Sequence, residues 1–79
     1  MPENLEVKRL GPNLLGVKDV EMMGRKYDWR LNTDTRQMYY RESAHLGGGF
    51  APIQDNSRYA KEVRQTYRKV GMAMFMFRG

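Results

Sequence analysis

Apolar and polar residues alternate most cleanly between Arg25 and Arg41, RKYDWRLNTDTRQMYYR. Tyr27, Trp29 and Leu31 alternate with Lys26, Asp28 and Arg30, and Met38 and Tyr40 alternate with Gln37, Tyr39 and Arg41. A period of two puts every second side chain on one face of a strand. Between the two runs stand Asn32, Thr33, Asp34 and Thr35, residues that favour a tight turn. The pattern predicts a β-hairpin over residues 25–41. Its inward face holds Tyr27, Trp29, Leu31, Met38 and Tyr40, half of a core in which the lone Trp is the largest side chain.

Upstream, Leu5 to Leu10 alternates weakly, and Gly11, Pro12 and Asn13 signal a turn. Leu14 to Met23 carries two periods at once: Leu15 and Val17 alternate as in a strand, while Val17, Val20 and Glu21 also fall at helical spacing. Gly16 and the β-branched valines favour the extended form, and Gly24 closes the segment.

Downstream, residues 42–55 read as a long connection without regular structure, with a flexible turn at Gly47, Gly48 and Gly49. Phe50 and Ile53 are expected to tuck it onto the core, and Pro52 to stiffen it. Asp55, Asn56 and Ser57 are consecutive N-cap candidates. From there a helix over 57–70 is predicted. At about 100° per residue, Tyr59, Ala60, Val63, Thr66, Tyr67 and Val70 share one side, and Lys61, Arg64 and Arg68 form a row opposite, flanked by Arg58 and Lys69. Gly71 stands where such a helix would stop. The apolar run after it, residues 72–77, is expected to be extended, either as a central strand of the sheet or as a surface buried against another molecule.

The predicted fold class is therefore α+β. A small antiparallel sheet, made of the hairpin 25–41, N-terminal strands and a C-terminal strand 72–77, packs against one amphipathic helix 57–70. The chain is read as a single small domain, 1–79, with a flexible loop at 42–55.

Charge adds an asymmetry. Residues 1–56 hold eight Lys or Arg and eight Asp or Glu, so the whole net charge of +5 comes from residues 57–79, where six cations face Glu62 alone. A local excess of this kind attracts an anionic surface. Chemistry for catalysis is sparse. The chain has no Cys and a single His, His45, beside the glycine run, and its carboxylates form no close pair. No P-loop, zinc or calcium pattern occurs. The expectation is a protein that is not an enzyme, with no cofactor, no metal and no small-molecule substrate. The opening residues, MPENLEVKRLGPN, lack a secretory pattern, and no run approaches the roughly 20 apolar residues of a membrane span. Absence of Cys fits a reducing compartment such as the cytoplasm.

Two functional expectations follow. The first is a small structural or accessory subunit that joins a larger assembly, or itself, through Met72, Met74, Phe75, Met76 and Phe77 together with the aromatic hairpin. Methionine-rich apolar surface suits adaptable binding. The compact, Arg- and Met-rich chain is compatible with accessory subunits of large assemblies or with small phage-encoded proteins. The alternative is nucleic-acid binding. Arg58, Lys61, Arg64, Arg68 and Lys69 would meet phosphates, and Arg30, Tyr39 and Arg41 would form a stacking and phosphate-binding surface on the hairpin. Peripheral membrane binding is a third and weaker reading, because the helix carries Tyr and Val where membrane-surface helices prefer Leu, Phe or Trp.

Overall fold

A computed structural model describes residues 5–78; residues 1–4, which open the stretch read above for a targeting signal, and residue 79 lie outside the described residues. Five strands form an antiparallel meander in chain order: β1 (Lys8–Gly11), β2 (Leu14–Met22), β3 (Arg25–Asn32), β4 (Met38–Glu42) and β5 (Ala51–Ile53). One helix, α1 (Lys61–Phe75), follows. The α+β class, the antiparallel sheet and the single packed helix all match the sequence reading.

The pairing register assigns each face. Leu15, Leu31, Met38 and Ile53 line up across β2 to β5, and Val17, Trp29 and Tyr40 form the next row. Val20 pairs with Tyr27 beyond them. Together with Met22 and the helical Val63, Val70 and Met74, these apolar side chains make one core between the sheet and α1, with Trp29 fully buried at its centre. The Trp29 and Tyr40 rings lie 5.6 Å apart.

The double period in β2 has a structural cause. A β-bulge sets Lys18 and Asp19 opposite the single residue Asp28, between the pairs Val17↔Trp29 and Val20↔Tyr27. An extra residue reverses the parity of inward positions, so Leu15 and Val17 before it and Val20 and Met22 after it all enter the core. The Val17 to Val20 spacing that mimics a helix is the signature of that bulge.

Two turns set the hairpins. Met23 and Gly24 both have positive φ, 53° and 77°, as a two-residue type I′ connection requires. At the other end the Asn32 side-chain oxygen accepts the backbone N–H groups of Asp34 and Thr35 at 2.9 and 3.1 Å. This is the local bonding by which Asn favours turns.

The C-terminal strand predicted over 72–77 is not formed: α1 runs through Gly71 to Phe75. Its buried residues Val63, Thr66, Val70, Gly71 and Met74 keep the helical spacing across the glycine. Met and Ala are strong helix formers and offset the roughly 1 kcal/mol that an interior Gly costs. Gly71 itself is buried, yet a Cβ there would meet nothing within 4 Å. Gly71→Ala should therefore raise stability by about 0.5–1 kcal/mol, read as a higher urea midpoint at unchanged slope; a lower midpoint would show that the space is not there.

The helix also starts later than predicted, at Lys61, with Ala60 at the N-cap and no side-chain cap. The residues expected to cap it are used elsewhere. Asn56 Oδ1 accepts the Arg58 N–H at 2.8 Å and its carbonyl accepts the Tyr59 N–H at 3.0 Å, closing a turn. Asp55 instead receives the Arg68 guanidinium. Within the connection 42–55, Ala51–Ile53 pairs with β4, and Pro52 sits on this edge strand where its missing N–H is tolerated. Ile53 enters the core as expected, but Phe50 does not: its ring lies on the opposite face of the sheet, against Arg30 and Arg41.

Candidate interaction surfaces

The residues singled out from sequence as anion-binding separate onto two faces. Arg58, Lys61, Arg64, Arg68 and Lys69 belong to the helix and its lead-in, whereas Arg30, Tyr39 and Arg41 stand on the sheet face that turns away from the helix.

On α1, the 100° step places Lys61, Arg64 and Arg68 on the side opposite Val63, Val70 and Met74. Two of these cations have internal acceptors. Arg64 Nε donates to the Tyr59 carbonyl at 3.2 Å, and Arg68 makes a two-pronged ion pair with Asp55 at 3.0 and 3.3 Å. Lys61 and Arg58 are exposed. Lys69 is exposed as well and takes part in a contact of its own.

The same outward side continues into the last turn as an apolar cluster. Met72, Phe75 and Met76, at i, i+3 and i+4, are 65%, 52% and 68% exposed. Residues at this spacing are surface neighbours. Arg36, in the β3–β4 turn with φ 64°, brings its guanidinium 5.5 Å from the centre of the Phe75 ring. Met74 and Phe77, grouped with them in the sequence reading, face the other way: Met74 is a core residue at 2% exposure and Phe77 packs partly buried against the core. The aromatic hairpin is likewise internal, with Trp29 buried and Tyr27 and Tyr40 packed against the core. Burial pushes the Tyr40 hydroxyl above its ordinary value, and the neighbouring Tyr59 and Tyr27 add to the shift.

The far face of the sheet carries a cross-strand row of Lys8, Gly16, Arg30, Tyr39 and Pro52. Arg30 and Arg41 approach the Phe50 ring at 4.2 and 4.4 Å from its centre. Such contacts draw on the negative face of the ring. Arg41 is largely committed: its Nη1 donates to the carbonyls of Leu46 and Gly48 at 3.2 and 3.0 Å, and its Nη2 lies 3.8 Å from Asp28 Oδ2. Thus Arg41 straps the glycine loop onto the sheet. Asp28 is 8% exposed and anchors the bulge, accepting the Asp19 N–H at 3.1 Å and the Ser43 hydroxyl at 2.7 Å. Sequence reading placed Asp28 on a charged outer face and gave it no role.

Beside Arg30 the face is hollow, enclosing about 510 Å³ above Gly16, with Lys8, Lys18 and Arg30 around it. Lys8 pairs with Glu6 at 3.4 Å, both well exposed. His45 is an exposed loop residue whose carbonyl accepts the Gly48 N–H. Among the described residues no three His, Cys, Asp or Glu gather as a metal would require, and no helix is long and apolar enough to cross a membrane.

Comparison with known protein families, with curated proteins and with solved structures finds no match to this chain.

Proposed function

We propose that this chain is a small non-catalytic interaction protein that docks through the outward face of α1 onto a protein presenting an apolar groove rimmed by carboxylates. The observation that carries the reading is the continuity of Lys61, Arg64 and Arg68 with Met72, Phe75 and Met76 on one side of a single 15-residue helix. At 1.5 Å per residue that face is about 22 Å long, suited to helix-in-groove recognition. A second copy of the chain complements it poorly, because paired helices would set cations against cations or against the apolar turn. Nucleic acid would meet the cations but offers nothing to three exposed apolar side chains, and Arg64 and Arg68 are already engaged internally. This surface supports the reading of an accessory subunit.

The test uses the full chain, a Met72→Ser/Phe75→Ser/Met76→Ser variant and a Lys61→Ala/Arg64→Ala/Arg68→Ala variant. A protein captured from nuclease-treated extract is purified and its affinity for each is titrated. Loss of three buried apolar side chains should weaken binding at least about 30-fold, even after discounting the 1.5–3 kcal/mol expected for each. The charge variant should lower the association rate and flatten the salt dependence. Equal affinity of the serine variant and the parent would refute this docking face. Steeply salt-sensitive binding to DNA or RNA, lost in the alanine variant alone, would favour the nucleic-acid reading instead.

A further inference from the structure

The helix face leaves the opposite side of the molecule unexplained, and there the sheet is neither flat nor bland. Gly16 sits between Lys8 and Arg30 in the cross-strand row. Gly16 is itself buried and lines the 510 Å³ hollow, a volume within the range of small-ligand sites. The nearest atoms to where a Gly16 side chain would begin are Leu10 Cδ1 at 2.6 Å and Cγ at 3.3 Å, with the Trp29 carbonyl oxygen at 3.6 Å. Leu10 therefore leans over the glycine and, 48% exposed, gives the hollow an apolar wall. Phe50 gives it another, held beside Arg30. Leu10 belongs to β1, and Phe50, just before β5, reaches back over Arg30 of β3 and Arg41 of β4.

The charges around this floor are unevenly satisfied. Asp28, which also lines it, spends its carboxylate on the Asp19 N–H, the Ser43 hydroxyl and Arg41. Lys8 pairs with the exposed Glu6. Among the described residues, no carboxylate lies within ion-pair distance of Lys18 or Arg30, and the guanidinium of Arg30 is met by an aromatic ring rather than an anion. Arg41 lines the same hollow, and its buried Nε has no hydrogen-bond partner among the described residues. The lining sets Lys8, Lys18, Arg30 and Arg41 against the carboxylates Glu6, Asp19 and Asp28; Lys18 and Arg30, which no described carboxylate pairs, together with the apolar walls are complementary to a ligand that is anionic at one end and flat and apolar at the other.

The geometry points to this hollow as a binding site for an organic anion of mononucleotide size, its phosphate met by Lys8, Lys18 and Arg30 and its ring lying between Leu10 and Phe50. The site is separate from the helix face and does not depend on docking there. A phosphate joined to a base is supplied equally by a free nucleotide or by one unit of a single strand, and the two sources share this chemistry.

Three probes are titrated against the full chain at low salt: a nucleoside monophosphate, a short oligothymidylate and inorganic phosphate, followed by calorimetry and by amide chemical shifts. Saturable binding of the monophosphate or the oligonucleotide is expected, tighter than inorganic phosphate, with the largest shifts at residues 8–10, 16–18 and 30. Preference between the first two identifies the source. Lys18→Glu, on the exposed bulge, should weaken binding about tenfold, the worth of one charge-assisted contact. Gly16→Val, whose Cβ would displace the Leu10 side chain now 2.6 Å from that point, should abolish it, while thermal melting of both variants establishes that they fold. Should Gly16→Val not fold, Lys18→Glu and the shift map decide. The inference is overturned by absence of saturable binding, by shifts confined to α1, or by a folded Lys18→Glu chain that binds as the parent does.

Discussion

Trp29→Ala is expected to remove a large share of the stability of the chain at room temperature. Trp29 is fully buried on the central strand β3, paired in register with Val17 on one side and Tyr40 on the other. Removing so large a core side chain costs about 3–5 kcal/mol, the transfer term plus the cavity it leaves. A domain of this size has roughly 4–12 kcal/mol in all, and no disulfide can limit the loss because the chain has no Cys. Far-UV circular dichroism in urea should show the midpoint displaced to low denaturant or no transition at all. Trp29→Phe is the informative partner. Among the described residues the indole Nε1 has no hydrogen-bond partner, so Phe forfeits volume without leaving a donor or acceptor stranded, and it retains a ring against Tyr40. Its cost should be only about 1–2 kcal/mol. A Trp29→Ala chain that kept a cooperative transition within about 1 kcal/mol of the parent would place the stability of the domain outside this row.

That row was legible in the sequence because alternation survives wherever strands pair without interruption, as between Arg25 and Glu42. It became illegible at two places, for different reasons. In β2 the bulge at Lys18 and Asp19 breaks the period, and no residue there advertises it. Asp19 takes φ 59°, a conformation Asp tolerates better than most residues, but an Asp in a strand is too common to be read as a bulge. At the C-terminus the misleading residue is Gly71. Read locally it stops a helix, and only the continuation of buried positions from Val70 to Met74 shows that it does not. An apolar run has no polar face by which to choose between strand and helix, so the decision falls to propensity and to the surface the core still lacks. The helix supplied that cover, and the run split into Met74 and Phe77 inside and Met72, Phe75 and Met76 outside. The hollow was beyond sequence reading altogether. Lys8, Gly16 and Arg30 come from three strands, and only the register sets the glycine between the cations.

Asp28→Ala should be the most damaging change on the outer face, costing about 3 kcal/mol. One buried carboxylate there serves three groups from three parts of the chain: the Asp19 N–H of the bulge, the Ser43 hydroxyl after β4, and the Arg41 guanidinium, 3.8 Å away. Truncating it strands a half-buried cation and a backbone donor, and each lost partner of a buried group carries its own desolvation cost of about 1–3 kcal/mol. Arg41 keeps the carbonyls of Leu46 and Gly48, so part of its solvation is replaced and the loss falls at the lower end for a buried charge. Asp28→Asn separates the contributions. Its carbonyl oxygen can still accept from Asp19 and Ser43, so only the charge opposite Arg41 disappears, and the penalty should be less than half of that for Ala. The location of the damage is as specific as its size. Hydrogen exchange at the Asp19 amide should accelerate in the Ala variant beyond what its global destabilisation explains, while in the Asn variant it should follow global stability alone. If both variants lost the same stability and the Asp19 amide stayed protected in each, the bulge would be held by the strands around it and not by Asp28.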